Sequence, residues 1–331
     1  LERLDNLEDF NRKQQHSLYL SPIRGEASIQ TNAGKPLDWL NFTWLLANQA
    51  VLVSGTLAAS VKGGATSYLP IATKLAMPYE RIHPIEPIET SWLRESVTIF
   101  VPYQSKNTRA VERFRGGPFR VPDHNSEHQL HEKWIALQAD YLTSRIKERT
   151  GGAIIVCTSY DQIAKLKALL ARSLKPAKDI YLFGSSRHKS IVSQVNEYKA
   201  AYKAGKRPVW LSIIAVGTGV DITDDQVLPA DDKMLHTLFI TRLPIGANED
   251  LWQEKMSDAL ILFKQIIGRL VRREGRRDMQ IHVMDARATI AEGFYNRFRG
   301  VSLKYKNIIY LPESGDPDYS IVDTKSDGDA H

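Results

Sequence analysis

The basic segment FKQIIGRLVRREGRR, at 263–277, holds the residues whose types and spacing best suit chemistry on a phosphate. On a helix, Gln265, Arg269 and Arg272 stand at positions i, i+4 and i+7, so they share one face. Gly268 between them has no side chain, which allows a backbone or a ligand to approach closely. Arginine carries a planar fork of donors that matches phosphate oxygens. The spacing suits contact with a phosphate, but most arginine-rich helices present a solvated basic face, and taken alone this segment favours that alternative.

Other polar segments follow predicted strands, where the carboxyl ends of a parallel sheet bind ligands. The turn GTGVD at 217–221 can hold a phosphate on its N–H groups, and Asp221 can accept from a ribose hydroxyl or an arginine. TSY at 158–160 offers two hydroxyls and a ring, which suit a phosphodiester backbone and a stacked base. SGT at 54–56 and GSSR at 184–187 occupy equivalent positions. The alternatives are an ordinary strand-exit turn at 217–221 and helix caps at 158–160 and 54–56.

Several patterns exclude whole kinds of site. The sequence contains no Gly-x-x-x-x-Gly-Lys-Ser/Thr loop, and its Asp231–Asp232 pair lies in a predicted polar loop. His236 and His282 fall within apolar strands and are expected to be core or surface residues rather than ligands. The single cysteine, Cys157, excludes an internal disulfide and a cysteine metal site, and is expected to be a buried, reduced thiol. We therefore expect no metal site and no complete triphosphate site in this chain.

The elements that must position these residues alternate from residue 96 onward. The apolar run GAIIVCTS at 152–159 indicates a strand that is covered on both faces. Ser126 is a candidate cap for the first helix, and Gly205 is expected to end the third. The predicted strands are 96–102, 152–159, 179–184, 208–216, 234–243 and 279–286, and the helices are 126–149, 161–174, 188–205 and 249–275. Strands alternating with helices predict an α/β fold with a parallel sheet.

Composition limits the class of protein. Of the 331 residues, 43% are hydrophobic and 25% are charged, which excludes a disordered chain. No run of 18 apolar residues and no apolar signal region occur, so we expect no membrane partner and a cytoplasmic location. The net charge of +6 permits a nucleic-acid partner without requiring one. The chain does not begin with Met, so we expect it to be a fragment of a longer protein.

The order of the segments is more informative than any one of them. SGTLA, IIVCTSYDQIAKL, GTGVD, FITRLPIGANED and FKQIIGRLVRREGRRDMQIHVMDAR together resemble the carboxyl half of superfamily 2 helicases of the DinG/XPD group, over roughly residues 36–312. In that family, segments of this kind carry motifs III, IV, V and VI, in this order. The most specific match is Gln-x-x-Gly-Arg-x-x-Arg followed by a strand that ends in Asp285 and Arg287.

The resemblance implies a particular architecture. Members of the group have two RecA-like domains with ATP between them, and the first carries the phosphate-binding loop and the Mg²⁺ carboxylates. This chain would then be the second motor domain, a RecA-like parallel sheet with helices on both faces, plus a remnant of the first. Residues 1–90 would be the end of the first domain and a connector, with the motif III strand at 50–58. Residues 91–312 would be the second domain, and 313–331 an acidic flexible tail.

The resemblance also implies roles for individual residues. Arg269 and Arg272 would be catalytic arginine fingers, and Gln265 would sense the γ-phosphate. The other matched residues would contact ATP, contact single-stranded DNA, or couple hydrolysis to DNA movement. They are Gly219, Asp221 and Gly268 for ATP; Thr158, Ser159, Tyr160 and Thr218 for DNA; and Ser54 and Thr56 for coupling.

Cofactors and partners follow from the same resemblance. ATP and Mg²⁺ would be held mainly by the first domain, which would also be a partner, and translocation along DNA would run 5′ to 3′. The family's iron–sulfur cluster needs four cysteines in the first domain and is not supported within this chain. The sequence departs from the family at Val216–Gly217–Thr218 and at Leu243–Pro244–Ile245. These departures would suit the DinG-like branch that accompanies type IV CRISPR systems, with a CRISPR effector complex as partner.

Two other functions remain open at the sequence level. One is a non-catalytic RecA-like module that binds nucleic acid or a protein partner and never meets ATP. The other is an ATPase that acts on RNA. Three further arginines, Arg273, Arg276 and Arg277, lie outside the motif and are expected to be surface charges.

Overall fold

The computed structural model describes the chain in a series of ranges. They are 15–20, 27–32, 59–60, 66–68, 71–72, 77, 82–83, 94–102, 119, 121–122, 128–213, 221–245, 252–270, 274–290 and 293–311. The chain divides into two compact units. One comprises Leu1–Ala59 with Ser67–Pro87, and the other comprises Ser60–Thr66 with Ile88–His331.

The described part of the first unit contains a β-hairpin that the sequence patterns did not indicate. Strand β1 (Gln15–Leu20) pairs antiparallel with β2 (Ala27–Asn32). Two very short strands, β3 (Ala59–Ser60) and β4 (Thr66–Ser67), form a separate two-stranded sheet. The predicted motif III strand at 50–58 lies outside the described residues.

A seven-stranded sheet organises the second unit. Its order is β11-β5-β10-β9-β6-β8-β7, and every neighbouring pair is parallel. The strands are β5 (Val97–Pro102), β6 (Ala153–Cys157), β7 (Ile180–Gly184), β8 (Arg207–Ile213), β9 (Thr237–Ile240), β10 (Met279–Val283) and β11 (Asn307–Leu311). All carboxyl ends therefore lie along one edge of the sheet.

Helices cover both faces of this sheet. They are α1 (His128–Lys147), α2 (Tyr160–Leu174), α3 (Ile191–Lys203), α4 (Trp252–Leu270) and α5 (Asn296–Ser302). Successive strand side chains point to opposite faces. In β6, Ile154 and Val156 join a core with α3, α4 and α5, whereas Ile155 and Cys157 join a core with α1 and α2. The predicted fold class, an α/β parallel sheet with helices on both faces, is confirmed.

Local signals in the sequence account for the helix ends. The Ser159 hydroxyl accepts the Gln162 N–H at the start of α2, and the Ser190 hydroxyl accepts the Ser193 N–H at the start of α3. Gly205 follows α3 with a φ of 74°, a left-handed conformation that glycine adopts without strain. Its predicted role in ending this helix is confirmed. The predicted cap Ser126 lies outside the described residues.

Some boundaries and elements differ from the predictions. The strand predicted at 234–243 is only Thr237–Ile240, and the last described residue of α4 is Leu270, although the pattern extended to 275. A turn with positive φ at Gly275 and Asp278 leads instead into β10. Strand β11 and helix α5 were not predicted. Strand β11 lies at the sheet edge and is only partly buried, so its apolar pattern is weak.

Cys157 is buried with a free thiol, as predicted. Burial raises the pKa of the thiol to about 12, and the nearby Thr241 side chain opposes this shift only in part. A thiol held in the protonated form is a poor nucleophile. Cys157 therefore serves as a small core residue at the end of β6.

Candidate nucleic-acid and nucleotide interface

Three of the residues predicted to contact DNA lie together at the carboxyl edge of the sheet. Thr158 and Ser159 follow β6 and are exposed, and Tyr160 is the half-buried first residue of α2. Their positions agree with the rule that ligands of parallel sheets bind beyond the carboxyl ends of the strands. The side chains of Thr158, Ser159 and Tyr160 therefore lie at the carboxyl edge of the sheet, which we call the rim.

A buried amide network holds the backbone at the start of this rim. The Gln162 side-chain amide donates to Gln138 Oε1 and to Thr241 Oγ1, both at 3.1 Å, while its oxygen accepts the Thr158 N–H at 3.0 Å. The Gln138 amide donates to the Thr241 carbonyl at 2.9 Å. The network joins α1 and α2 to the ends of β6 and β9. It therefore fixes the main chain of Thr158.

Ser159 has a structural role as well as an exposed position. Its Oγ accepts the Gln162 N–H at 3.1 Å, so the helix-cap alternative is confirmed for this residue. A hydroxyl has one proton to donate and two lone pairs. The cap uses one lone pair, so capping and donation to an external phosphate are compatible.

The exit of β7 brings a cation to the same rim. The Ser185 N–H donates to the Leu211 carbonyl at 2.7 Å, and the Trp210 ring N–H donates to Ser185 Oγ at 3.1 Å. Two residues later, the guanidinium carbon of Arg187 lies 5.0 Å from the centroid of the Tyr160 ring. The sequence places GSSR at 184–187 after a predicted strand, but it does not indicate a role for Arg187. No sequence pattern links it to a ring in the preceding helix.

The other predicted set lies at the end of α4. Gln265 and Arg269 are half-buried and stand one helical turn apart on the same face. Gly268 is exposed, and a Cβ built there would meet no heavy atom within 4 Å. The space around Gly268 is therefore open within the described chain.

The end of α4 lies at the amino edge of the sheet, opposite the rim that carries Thr158. The Arg276 guanidinium donates to the carbonyl of Leu270, the last described residue of α4, at 2.8 Å. It also donates to the carbonyl of Leu235, which precedes β9. A helix that joins two parallel strands must end near the amino end of the second strand. The structure therefore separates Arg269 from the residues predicted to contact DNA.

Arg276 is buried, so its predicted surface position is wrong. Its Nε lies 3.5 Å from Asp232 Oδ2, and both side chains are fully buried. Asp232 also accepts the N–H groups of Asp224 and Met234 at 3.3 and 3.0 Å. Asp232 lies in a loop, as predicted, but its side chain is buried. Since the guanidinium satisfies backbone carbonyls, its burial is compensated. Arg277 is exposed, as predicted.

The same ion pair joins the loop of Asp221 to the end of α4. Asp221 is exposed and accepts from Thr223 Oγ1 at 3.4 Å. Three residues later, Asp224 bonds to Asp232, the partner of Arg276. Five predicted site residues lie outside the described residues: Ser54, Thr56, Thr218, Gly219 and Arg272.

Asp285 and Arg287, which follow β10 and complete the most specific motif, form an ion pair in which the aspartate is buried and the arginine is half-buried. Arg287 donates to both oxygens of Asp285, at 2.9 and 2.6 Å, and Asp285 also accepts the Leu243 N–H at 2.9 Å. Burial opposes ionisation of Asp285. The charge and hydrogen bonds of Arg287 outweigh this effect and hold the pKa of the carboxyl below its usual value. The pair thus fixes the exits of β9 and β10.

Of the two predicted alternatives, core or surface, the structure shows that His236 and His282 are both buried. His282 stacks between Phe100 and Phe239, with ring centroids 4.2 and 4.7 Å away, and its Nδ1 lies 2.8 Å from the Tyr141 hydroxyl. Burial lowers the pKa of His282 well below its usual value. Burial, aided by the charge of Arg149, lowers the pKa of His236 to about 4. Because burial lowers both pKa values, His236 and His282 are neutral near pH 7, and the His282 ring packs in the core between Phe100 and Phe239.

Two general features bear on possible ligands. Within the described ranges, no group of three His, Cys, Asp or Glu side chains could hold a metal ion. In the parts of the chain that the structure describes, no helix has the length and apolar character needed to cross a membrane.

Comparisons with known proteins give similarities at the level of structure. No protein-family model and no curated protein sequence matches this chain. Among solved structures, S. tokodaii Xpd4 is 17% identical, with 57% of this chain and 37% of that chain covered and a TM-score of 0.37. T4 UvsW is 12% identical, with 68% and 42% covered and a TM-score of 0.36. The C-terminal domain of the DEAD-box protein Dbp5 is 15% identical, with 55% and 86% covered and a TM-score of 0.35. The chain thus spans less than half the length of the Xpd4 and UvsW chains that it resembles.

Proposed function

We propose that this chain is the second motor domain of an ATP-dependent DNA helicase. It would bind single-stranded DNA at the carboxyl edge of the sheet and present arginines to ATP that a separate domain holds. The observation that carries the proposal is Gly268, where a Cβ would meet no described heavy atom within 4 Å, beside Arg269 and Gln265 on α4. The order of the motifs in the sequence supports the same function.

Gly268 supports the nucleotide half of the proposal. Glycine inside a helix costs roughly 1 kcal/mol relative to alanine. No described heavy atom lies close enough to explain this cost, because the position of a Cβ is open to 4 Å. An approaching phosphate or domain would explain it. An arginine beside a transferring phosphoryl group stabilises the charge of the transition state, with effects of roughly 10³–10⁵ in rate.

Arg269 would stabilise this charge together with Arg272, which follows three residues later in the motif. Gln265, one turn before Arg269, would contact the γ-phosphate. Asp221 would accept from a ribose hydroxyl or from an arginine at the same nucleotide. The Asp232–Arg276 pair would keep the loop of Asp221 joined to the end of α4.

The carboxyl edge supports the DNA half. Thr158 and Ser159 are exposed, and hydroxyls are common donors to phosphate oxygens. The Ser159 hydroxyl only accepts in its cap, whereas the Thr158 hydroxyl donates to Gln162 Oε1 at 3.4 Å and would have to turn toward a phosphate. The buried amide network fixes the main chain at Thr158, so a contact made there costs little ordering. ATP binding would draw the two domains together and hydrolysis would release them, which moves the strand. The movement would run 5′ to 3′ by resemblance to the DinG/XPD group.

Mg²⁺ is assigned to no residue of this chain. Among the described residues, no cluster of carboxylates fits a divalent ion. When bound with ATP, Mg²⁺ neutralises charge on the transferring phosphates. That function would belong to the domain that carries the phosphate-binding loop.

One experiment tests both halves of the proposal. The purified chain is titrated against fluorescent thymidine and uridine oligonucleotides at increasing salt, and its ATP hydrolysis is measured with and without DNA. We expect binding to single-stranded DNA that weakens with salt, and no hydrolysis, since the phosphate-binding loop is absent. DNA-stimulated hydrolysis would contradict the nucleotide half. Failure to bind at low salt would contradict the DNA half, and tighter binding to uridine would favour an RNA substrate.

A second arm uses a longer protein that contains this chain and a phosphate-binding loop. There, Arg269→Ala is expected to lower ATP turnover by a factor of about 10³ or more, with single-stranded binding almost unchanged. The exposed Arg277→Ala is the matched control. If both variants turn over ATP at the wild-type rate, Arg269 is not a finger.

A further inference from the structure

We propose that Arg187 is a phosphate contact for single-stranded nucleic acid and that the Tyr160 ring is its platform. This inference rests on the proposed function and changes the expected role of Tyr160. The ring would position an arginine instead of stacking on a base. The juxtaposition that carries it is the 5.0 Å separation between the Arg187 guanidinium carbon and the Tyr160 ring centroid.

The Tyr160 ring is already engaged by contacts within the chain. It packs against the core that α1 and α2 form with the sheet, and Arg187 lies over it. A base would have to displace this arginine in order to stack on the ring. Arginine on an aromatic face keeps its planar N–H donors free at its edge. The guanidinium is therefore the group better placed to meet a ligand.

The segment that carries Arg187 is anchored at its base. Ser185 is buried, and it links to β8 through Leu211 and Trp210. Its hydroxyl also donates to Ser212 Oγ at 3.3 Å. On the far side, the Gln194 amide of α3 donates to the Lys189 carbonyl at 3.0 Å. Arg187 thus stands at the exposed tip of a turn that is held on both sides.

The charge of Arg187 is not neutralised by the described chain. Lys165 pairs with Glu132 and Asp161, and Lys189 pairs with Glu197. By contrast, no carboxylate among the described residues forms an ion pair with Arg187. An exposed guanidinium without an acidic partner keeps its full attraction for an external anion. Among the described residues, Arg187 is therefore a cation at this edge that a phosphate could meet without displacing an acidic partner.

Tyr160 and Arg187 follow the two strands that flank β8 in the sheet. The sheet order is β6-β8-β7, with Tyr160 after β6 and Arg187 after β7. Neighbouring strands are about 4.8 Å apart, so the two flanking strands are separated by roughly 10 Å. The cation–ring contact closes this distance over the carboxyl end of β8. Thr158, Ser159 and Arg187 all follow strands at the carboxyl edge of the sheet, where a phosphodiester backbone could contact them in turn.

The test is oligonucleotide binding by the full chain over a range of salt concentrations. Arg187→Ala is expected to weaken binding about tenfold and to lower the salt dependence by about 0.7 in the log–log slope, the value for one phosphate on a single strand. Tyr160→Leu is expected to lose most of the same affinity, and Tyr160→Phe to recover it, because the ring is the platform. The double variant Tyr160→Leu/Arg187→Ala should be no weaker than Arg187→Ala alone.

Arg172→Ala is the matched control, because Arg172 is an exposed arginine in the last turn of α2, far from Tyr160. Circular dichroism and thermal unfolding verify that each variant folds. If the wild-type chain binds but Arg187→Ala binds equally well with the same slope, this inference is wrong. It is also wrong if Tyr160→Phe behaves like Tyr160→Leu, since a base-facing hydroxyl would then matter more than the platform. If the wild-type chain does not bind at all, the proposed function itself fails.

Discussion

Gly268 occupies a helical position where alanine would give a more stable protein. A Cβ there would meet no heavy atom of the described residues within 4 Å, so none of them would resist a methyl group. Gly268→Ala is expected to raise the free energy of unfolding of the isolated chain by about 0.5–1 kcal/mol, since alanine loses less backbone entropy. Urea denaturation measures this change. In a longer protein that hydrolyses ATP, the same variant should slow turnover if a phosphate or domain approaches there.

Gly205 is the matched control for this substitution. A Cβ there would also meet no atom of the described part of the chain within 4 Å, but Gly205 has a φ of 74°. Gly205→Ala is therefore expected to destabilise the chain by about 1 kcal/mol through backbone strain alone. If both substitutions changed the free energy of unfolding equally, helix propensity could not explain the change at Gly268.

At the scale of the element, helix α4 ends where a buried guanidinium binds its last described carbonyl. Arg276 joins the end of α4 to the residues before β9 and to the loop after β8. Removing one member of a buried ion pair leaves an uncompensated charge and typically costs 3–5 kcal/mol. Arg276→Met is therefore expected to destabilise the chain by about this amount in urea denaturation.

Arg277→Met is the control, because the side chain of Arg277 is exposed one position further along. It should change stability by no more than about 0.5 kcal/mol. The double variant Asp232→Asn/Arg276→Met should be more stable than the sum of the single effects predicts, since it removes the unpaired charge. Additive effects would contradict a direct coupling of the two side chains.

At the scale of the whole molecule, two buried histidines predict a dependence of stability on pH. Burial lowers the pKa of His236 to about 4 and that of His282 well below 6.5. Below pH 6.5 the unfolded chain binds protons at these residues that the folded chain does not. Stability is therefore fully present above pH 6.5 and is lost as the pH falls, by up to about 1.4 kcal/mol per pH unit for each histidine.

Urea denaturation between pH 7 and pH 5 measures this slope. His282→Gln should be less stable at every pH, because it loses the stack with Phe100 and Phe239. Its slope should nevertheless be smaller, by up to about 1.4 kcal/mol per pH unit at the acid end of this range. An unchanged slope would mean that His282 is not a source of the acid sensitivity.

The sequence predicted the parallel sheet because its central strands are almost wholly apolar and alternate with amphipathic helices. Strand β11 was missed because an edge strand is half-covered and lacks that signal. Arg276 and Arg277 are adjacent and of the same type, so only the turn before β10 decides which one is buried. The sequence places Arg187 after a strand, but its contact with the Tyr160 ring of the preceding helix is not evident from the sequence. Pairs that depend on tertiary packing leave no local pattern.

The order of strands in the sheet also governs how the chain can assemble. Strand β5 lies early in the sequence, yet its two neighbours are β10 and β11, which begin only at Met279 and Asn307. On a ribosome, the apolar strand Val97–Pro102 therefore emerges long before either partner exists. Strands β6 to β9 are close in sequence and can form the middle of the sheet first. During synthesis, β5 is a long-lived exposed segment of the kind that chaperones shield.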